Sequence, residues 1–96
     1  MEVRENKINM KEIREKIDEI DWRILKLISE RFALLPDVLK YKIENNLPIK
    51  DNKREKEVIK DRMEKAKALG INPKFSQTLF KKIMEEARRI QKKNIK

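Results

Sequence analysis

One apolar seam constrains this chain more than any other feature. Between Ile13 and Asn46 the side chains of Ile13, Ile17, Ile20, Ile24, Leu27, Leu34 and Val38 follow steps of three and four, with Arg31 filling the place between Leu27 and Leu34. That is the period of one face of an α-helix and not the alternation of a strand. A helix of this length cannot bury such a seam against itself, so the chain needs further helical surface to cover it. Pro36 falls inside the stretch. It removes the N–H that would bond to the Phe32 carbonyl and crowds that turn, at about 3 kcal/mol unless the helix bends. The apolar period resumes at Val38 and Leu39, which predicts a bend at Pro36 and not a stop.

Two cations interrupt the apolar face. Arg31 stands where a helix built only for packing would carry Leu or Ile. Lys42 lies eleven residues further on, about 16 Å along the axis and turned by only roughly 20°. Both are therefore predicted to point inward. One such cation is ordinarily a side chain whose stem packs while its head snorkels to water. Two on one inward face, in a chain whose other apolar stripes also carry polar residues, point to a buried anion site.

The inventory narrows what that site can do. There are 96 residues, enough for a single domain spanning 1–96, with 1–9 read as a flexible lead-in and 93–96 as a flexible tail. The net charge of +9 favours an anionic partner: nucleic acid, acidic lipid, or a small carboxylate or phosphate. Neither His nor Cys occurs, which removes the usual base near neutral pH, the thiolate nucleophile and the commonest transition-metal ligands. Gly70 is the only glycine, so there is no glycine-rich phosphate loop. Chemistry must rest on Arg, Lys, Glu, Asp and Gln, with neither metal nor cofactor expected. No apolar run approaches the ~20 residues that span a bilayer, and MEVRENKINM lacks the apolar core of a signal peptide, so no membrane partner and a cytoplasmic location are expected.

Along the chain, Asn9 is placed to cap the first helix, and Asp18 and Asp21 lie towards its positive end. Trp22 sits beside the seam, suited to packing on a neighbouring helix. NNLPIKD reads as a loop, with Pro48 forbidding a continued helix and Asp51 capping the next. That second helix, about Asn52 to Leu69, has Val58, Ile59, Met63, Ala66 and Leu69 as its stripe and Arg54 and Glu55 in its first turn. Gly70 is its C′ residue. Asn72 and Pro73 open a third helix reaching about Lys92, with Phe75, Leu79, Phe80, Ile83, Met84, Ala87 and Ile90 as its stripe. Gln91 continues the row of Phe80, Met84 and Ala87; judged alone it suits a frayed helix end or a ligand donor. The lysine-rich end KKNIK reads as a solvated tail. The expected architecture is all-α, with three helices, the first of them long.

The ordered set IREKIDEID, ISER, the Lys of KYKIENNLPI, PIKDNKRE, GINP and FKKIMEEARRIQ resembles the chorismate mutases of the all-helical class. The resemblance covers residues 13 to 91; no single segment is specific, but the ordered set, with PIxDxxRE at its centre, is strong. It implies an intertwined helical homodimer in which the long first helices span both halves, and the rearrangement of chorismate to prephenate in phenylalanine and tyrosine biosynthesis. It further implies that Arg14 and Arg31 bind substrate carboxylates, with Arg14 coming from the partner chain. Lys42 and Gln91 would donate to the ether oxygen whose bond breaks. Asp51 and Glu55 would hold the ring hydroxyl, and Arg54 would support a carboxylate and the loop. Ala87 departs from the pattern, standing where many relatives carry a Ser that assists one carboxylate; Pro36 departs too, where relatives continue the helix unbroken.

The residue inventory agrees with this reading. A pericyclic rearrangement requires no nucleophile, metal or general base, only a dianion folded into a compact conformer and cations aimed at the oxygen where charge grows. Arg suits planar carboxylates and Lys a single oxygen. Three rivals remain distinct from it. An isochorismate pyruvate lyase-like enzyme would share the scaffold and differ in substrate. A basic helical module could bind nucleic acid through RRIQKKNIK, but that needs cations on an exposed face and leaves PIKDNKRE without a role. A pure dimerisation module would tolerate Leu at Arg31.

Overall fold

In the computed structural model, which describes residues 8–95, the chain is helical throughout, with no strand among the described residues. It divides at Ala33/Leu34 into two units: α1 (Met10–Ala33), and the stretch carrying α2 (Leu35–Glu44), α3 (Asn52–Ala68) and α4 (Pro73–Lys93). The three helices read from the sequence are all present, the first divided into α1 and α2. The expected lead-in falls outside the described residues over 1–7, as does residue 96 of the expected tail.

Helix α1 begins as the sequence indicates. The Asn9 side chain accepts from the Glu12 N–H at 3.2 Å, and the Asn9 carbonyl accepts from Ile13 at 3.1 Å. Twenty-four residues give it about 36 Å of length. None of its residues is buried. Ile17, Ile20, Ile24 and Leu27 keep 49%, 45%, 49% and 63% of their surface exposed, and Trp22 keeps 61%. Arg31, one turn past Leu27, is half-buried and engaged.

The interruption expected at Pro36 falls at Leu34, two residues earlier. Leu34 retains right-handed helical angles (φ −84°, ψ −12°), and its carbonyl accepts from Val38 at 3.2 Å, restarting the helical ladder. The restart puts Pro36 in the first turn of α2, where an N–H has no intrahelical partner and its absence costs nothing.

From Leu34 onward the core is built around α4, on which both α2 and α3 pack. Leu35 and Leu39 from α2, Val58 and Ala66 from α3, and Met84 and Ala87 from α4 are buried. Two polar residues join them, Ser76 and Gln91, both on α4. The Ser76 hydroxyl donates to the Arg62 carbonyl at 3.2 Å, tying α4 to α3 near the end where the Arg62 guanidinium lies 5.8 Å from the centre of the Phe80 ring. Leu69, Phe75 and Leu79, expected in the stripes, are exposed instead. Leu69 is the residue after the last turn of α3 and Phe75 lies in the first turn of α4; with Leu79 they border one open apolar hollow at this end of the two helices.

Two helices end in the same way. At the end of α3, Gly70 takes φ +77°, its N–H bonds to the Lys67 carbonyl at 3.1 Å, and the Ile71 N–H reaches back to Ala66 at 2.8 Å. At the end of α2, Asn46 takes φ +55°, its N–H bonds to Ile43 at 3.2 Å, and the Leu47 N–H reaches back to Lys42 at 2.8 Å. Both are left-handed caps of the Schellman type, one built on Gly and the other on Asn.

Candidate functional site

Lys42 sits three residues before the C-cap of α2, so the cap that closes the helix is fastened to its carbonyl. Its side chain follows the same direction: the half-buried Nζ donates to the Ile49 carbonyl across the NNLP turn. Lys42 therefore holds the loop at both ends of the residue. An ammonium has three donors, and this contact uses one.

Two residues beyond Ile49, Asp51 caps α3. Its Oδ1 accepts from the Arg54 N–H at 3.0 Å, and its carbonyl accepts from Glu55 at 2.9 Å. A carboxylate at a helix N-terminus also meets the favourable end of the helix dipole. Arg54 projects into solvent, with only a loose 3.8 Å approach to Glu57. Glu55 behaves differently. It is half-buried, and its Oε2 lies 2.5 Å from Nη1 of Arg88 on α4.

Gln91 is 4% exposed on the inner face of α4. The helix continues through Lys93, so Gln91 is not a frayed end. Its Nε2 donates to the Ala87 carbonyl one turn back at a long 3.3 Å, while its buried Oε1 has no partner. Leaving a buried amide oxygen unsatisfied costs ~1–3 kcal/mol, and a residue kept only for packing would be Leu or Met here. Beside it runs a groove of about 500 Å³ between α2 and α4, walled by Leu35, Leu39, Ile43 and Ile90. Ala87 is buried in the same row and brings no polar group to it.

Within residues 34–95, then, the fold draws Lys42, Asp51 and Glu55 to the α2–α3 loop and the start of α3, and presents Ala87 and Gln91 from α4, with Glu55–Arg88 tying α3 to α4. Arg14 and Arg31 belong to α1, which stands as a unit of its own; Arg14 is exposed and Arg31 half-buried. Arg88 is absent from the sequence-derived set. The signal was available, because Arg88 follows Met84 by four residues and so is a cation at the edge of a buried stripe, the criterion that singled out Arg31.

The perturbed acids lie elsewhere, on open helix faces. Asp61 is held below its ordinary value by hydrogen bonds from Arg62 and then Lys65, and Glu86 by a hydrogen bond from Arg89, whose own pKa is raised in return. No group of three or more acidic residues suited to a metal ion occurs among the described residues. No helix among them is long and apolar enough to cross a membrane.

Residues 13–92 match the family model described as chorismate mutase type II. A chorismate mutase from Methanocaldococcus jannaschii is 43% identical over 82 residues, 84% of this chain and 82% of that protein. A bifunctional chorismate mutase/prephenate dehydratase from Buchnera aphidicola subsp. Acyrthosiphon pisum is 36% identical over 83 residues, which are 86% of this chain but 22% of that protein. A secreted chorismate mutase from Yersinia pestis is 40% identical over 65 residues, 68% of this chain and 35% of that protein. No solved structure matches the chain.

Proposed function

Because the chain belongs to the type II chorismate mutase family, it is an isomerase that rearranges chorismate, and we propose how its own residues carry that reaction. The observation that carries the proposal is Gln91: an amide buried in an apolar row, with one oxygen unpartnered and its N–H donor only weakly committed. Such a donor can turn to an incoming acceptor without giving up a strong bond. Lys42 keeps two donors beyond the one it gives to Ile49. Together they would donate to the ether oxygen as its bond to carbon lengthens and negative charge gathers there.

Arg31 binds one substrate carboxylate in this reading, and Asp51 and Glu55 accept from the ring hydroxyl. Arg54 supports the loop and the carboxylate. Ala87 lines the pocket without a donor, so affinity rests on fewer polar contacts than a Ser would allow. The side chains restrain the dianion in the folded conformer from which a concerted rearrangement proceeds.

A homodimer with shared sites completes the reading, and helix geometry supports it. Seventeen residues of continuous α1 separate Arg14 from Arg31, about 25 Å and a turn of roughly 100°, so one small ligand cannot touch both on one chain. Arg14 of the partner subunit would then reach the pocket, and the uncovered apolar face of α1 gives the partner a surface to cover. The test is loss of chorismate followed by ultraviolet absorbance, with isochorismate assayed in parallel. Turnover of chorismate to prephenate is the expected result; lyase activity on isochorismate alone would replace the reading with its sister reaction.

A further inference from the structure

The ion pairs seen on the helix faces, Arg54–Glu57, Asp61–Lys65, Lys82–Glu85 and Glu86–Arg89, each join residues three or four apart on one helix. Such exposed pairs contribute little. Arg88–Glu55 is of another kind. It spans 33 residues of sequence, connects α4 to the first turn of α3, and leaves each side chain only 22% exposed.

We infer that Arg88 is a positioning residue of the active site, which fixes the Glu55 carboxylate and compensates its charge so that a dianionic substrate can approach. This rests on the proposed function, in which Glu55 accepts from the substrate hydroxyl. The argument has three steps. A Glu side chain has three rotatable bonds, and anchoring Oε2 to a guanidinium reduces the carboxylate to one arrangement with Oε1 still able to accept. The anchor comes from the helix that carries Ala87 and Gln91, so one contact sets the spacing between the hydroxyl-binding side of the site and the ether-oxygen side. Finally, an uncompensated carboxylate next to a dianion repels it, and the half-buried position strengthens that repulsion relative to open water. Lys50, Lys81 and Lys82 border the same hollow, with Glu85 opposing them, but their side chains are exposed and carry no fixed geometry to Glu55.

Steady-state kinetics and thermal melting of wild type, Arg88→Met, Arg88→Lys and the double variant Glu55→Gln/Arg88→Met provide the test. Arg88→Met should raise KM for chorismate about tenfold, with kcat changed by less than about threefold, the size expected when one member of a contacting pair is lost. Arg88→Lys keeps the charge without the fork and should fall between the two. The double variant should recover part of the lost KM, because an amide can still accept from the hydroxyl while the repelling charge is gone. A purely structural pair would lower the melting temperature in the single and double variants alike and give no such recovery. The inference is overturned if a folded Arg88→Met or, should that variant not fold, Arg88→Lys keeps wild-type KM, or if the double variant is no better than Arg88→Met. An inactive wild type would remove the proposed function as well, whereas a wild-type KM in the Arg88 variants removes this inference alone.

Discussion

An amide donates a hydrogen bond at any ordinary pH, but a carboxyl donates only while protonated, and this makes Gln91 the residue whose role can be read from a pH profile. Gln91→Glu keeps the size of the side chain. It should work in acid and fail near neutrality, with turnover at pH 7 lower on the order of 10²-fold, as when one donor to a developing oxyanion is deleted. The apolar wall of the groove raises the pKa of the new carboxyl and extends the working range upward from its ordinary ~4.3, whereas the proposed proximity of Lys42 opposes that rise. Measurement of kcat between pH 4.5 and 8 checks this; parallel flat profiles for both proteins would remove Gln91 from the ether oxygen. The place of Gln91 was legible in the sequence because it continues a row of apolar residues at helical spacing. That Arg88 pairs with Glu55 was not, since a contact across 33 residues leaves no local periodicity and depends on how α3 and α4 pack.

Caps and breaks belong to the scale of the element, and most of them announced themselves. Asn9, Asp51, and Asn72 followed by Pro73, open helices as expected, because an oxygen-bearing side chain before an apolar period has one favourable use. The end of α2 did not announce itself: Asn46 reads as ordinary loop until its left-handed backbone is seen. The division of the first helix was signalled by Pro36 but displaced to Leu34, because a proline is accommodated most readily in a helix's first turn. Gly70 offers a clean measurement. A Cβ added there would meet nothing within 4 Å, so Gly70→Ala is penalised by its left-handed backbone alone. A loss of about 1 kcal/mol is expected, lowering the melting temperature by roughly 4–8 °C. Gly70→Asn should lose less, as Asn46 does the same work on α2. Equal stability of Gly70→Ala and wild type would mean that α3 ends differently in solution.

For the whole molecule, sharing of sites can be tested by mixing two chains that are each defective. Arg14→Ala and Lys42→Ala variants should both be inactive alone. With shared sites, every heterodimer formed by subunit exchange would hold one pocket with Lys42 from one chain and Arg14 from the other, so about a quarter of wild-type activity should return on equal mixing. No recovery, with exchange verified by mass, would rule out a pocket built from two chains. The bare face of α1 has a further consequence, for time rather than geometry. A helix of 24 residues, none of them fully buried within its own chain, gains little by forming alone. In the proposed homodimer the last step of folding would be an encounter between chains, its speed set by how often they meet. After dilution from denaturant, the half-time for regaining activity should double with each halving of chain concentration, and recovery at one fixed rate across a hundredfold range would contradict it. If the proposed dimer is the active form, a cell making this enzyme at low level would wait for it in proportion to its scarcity.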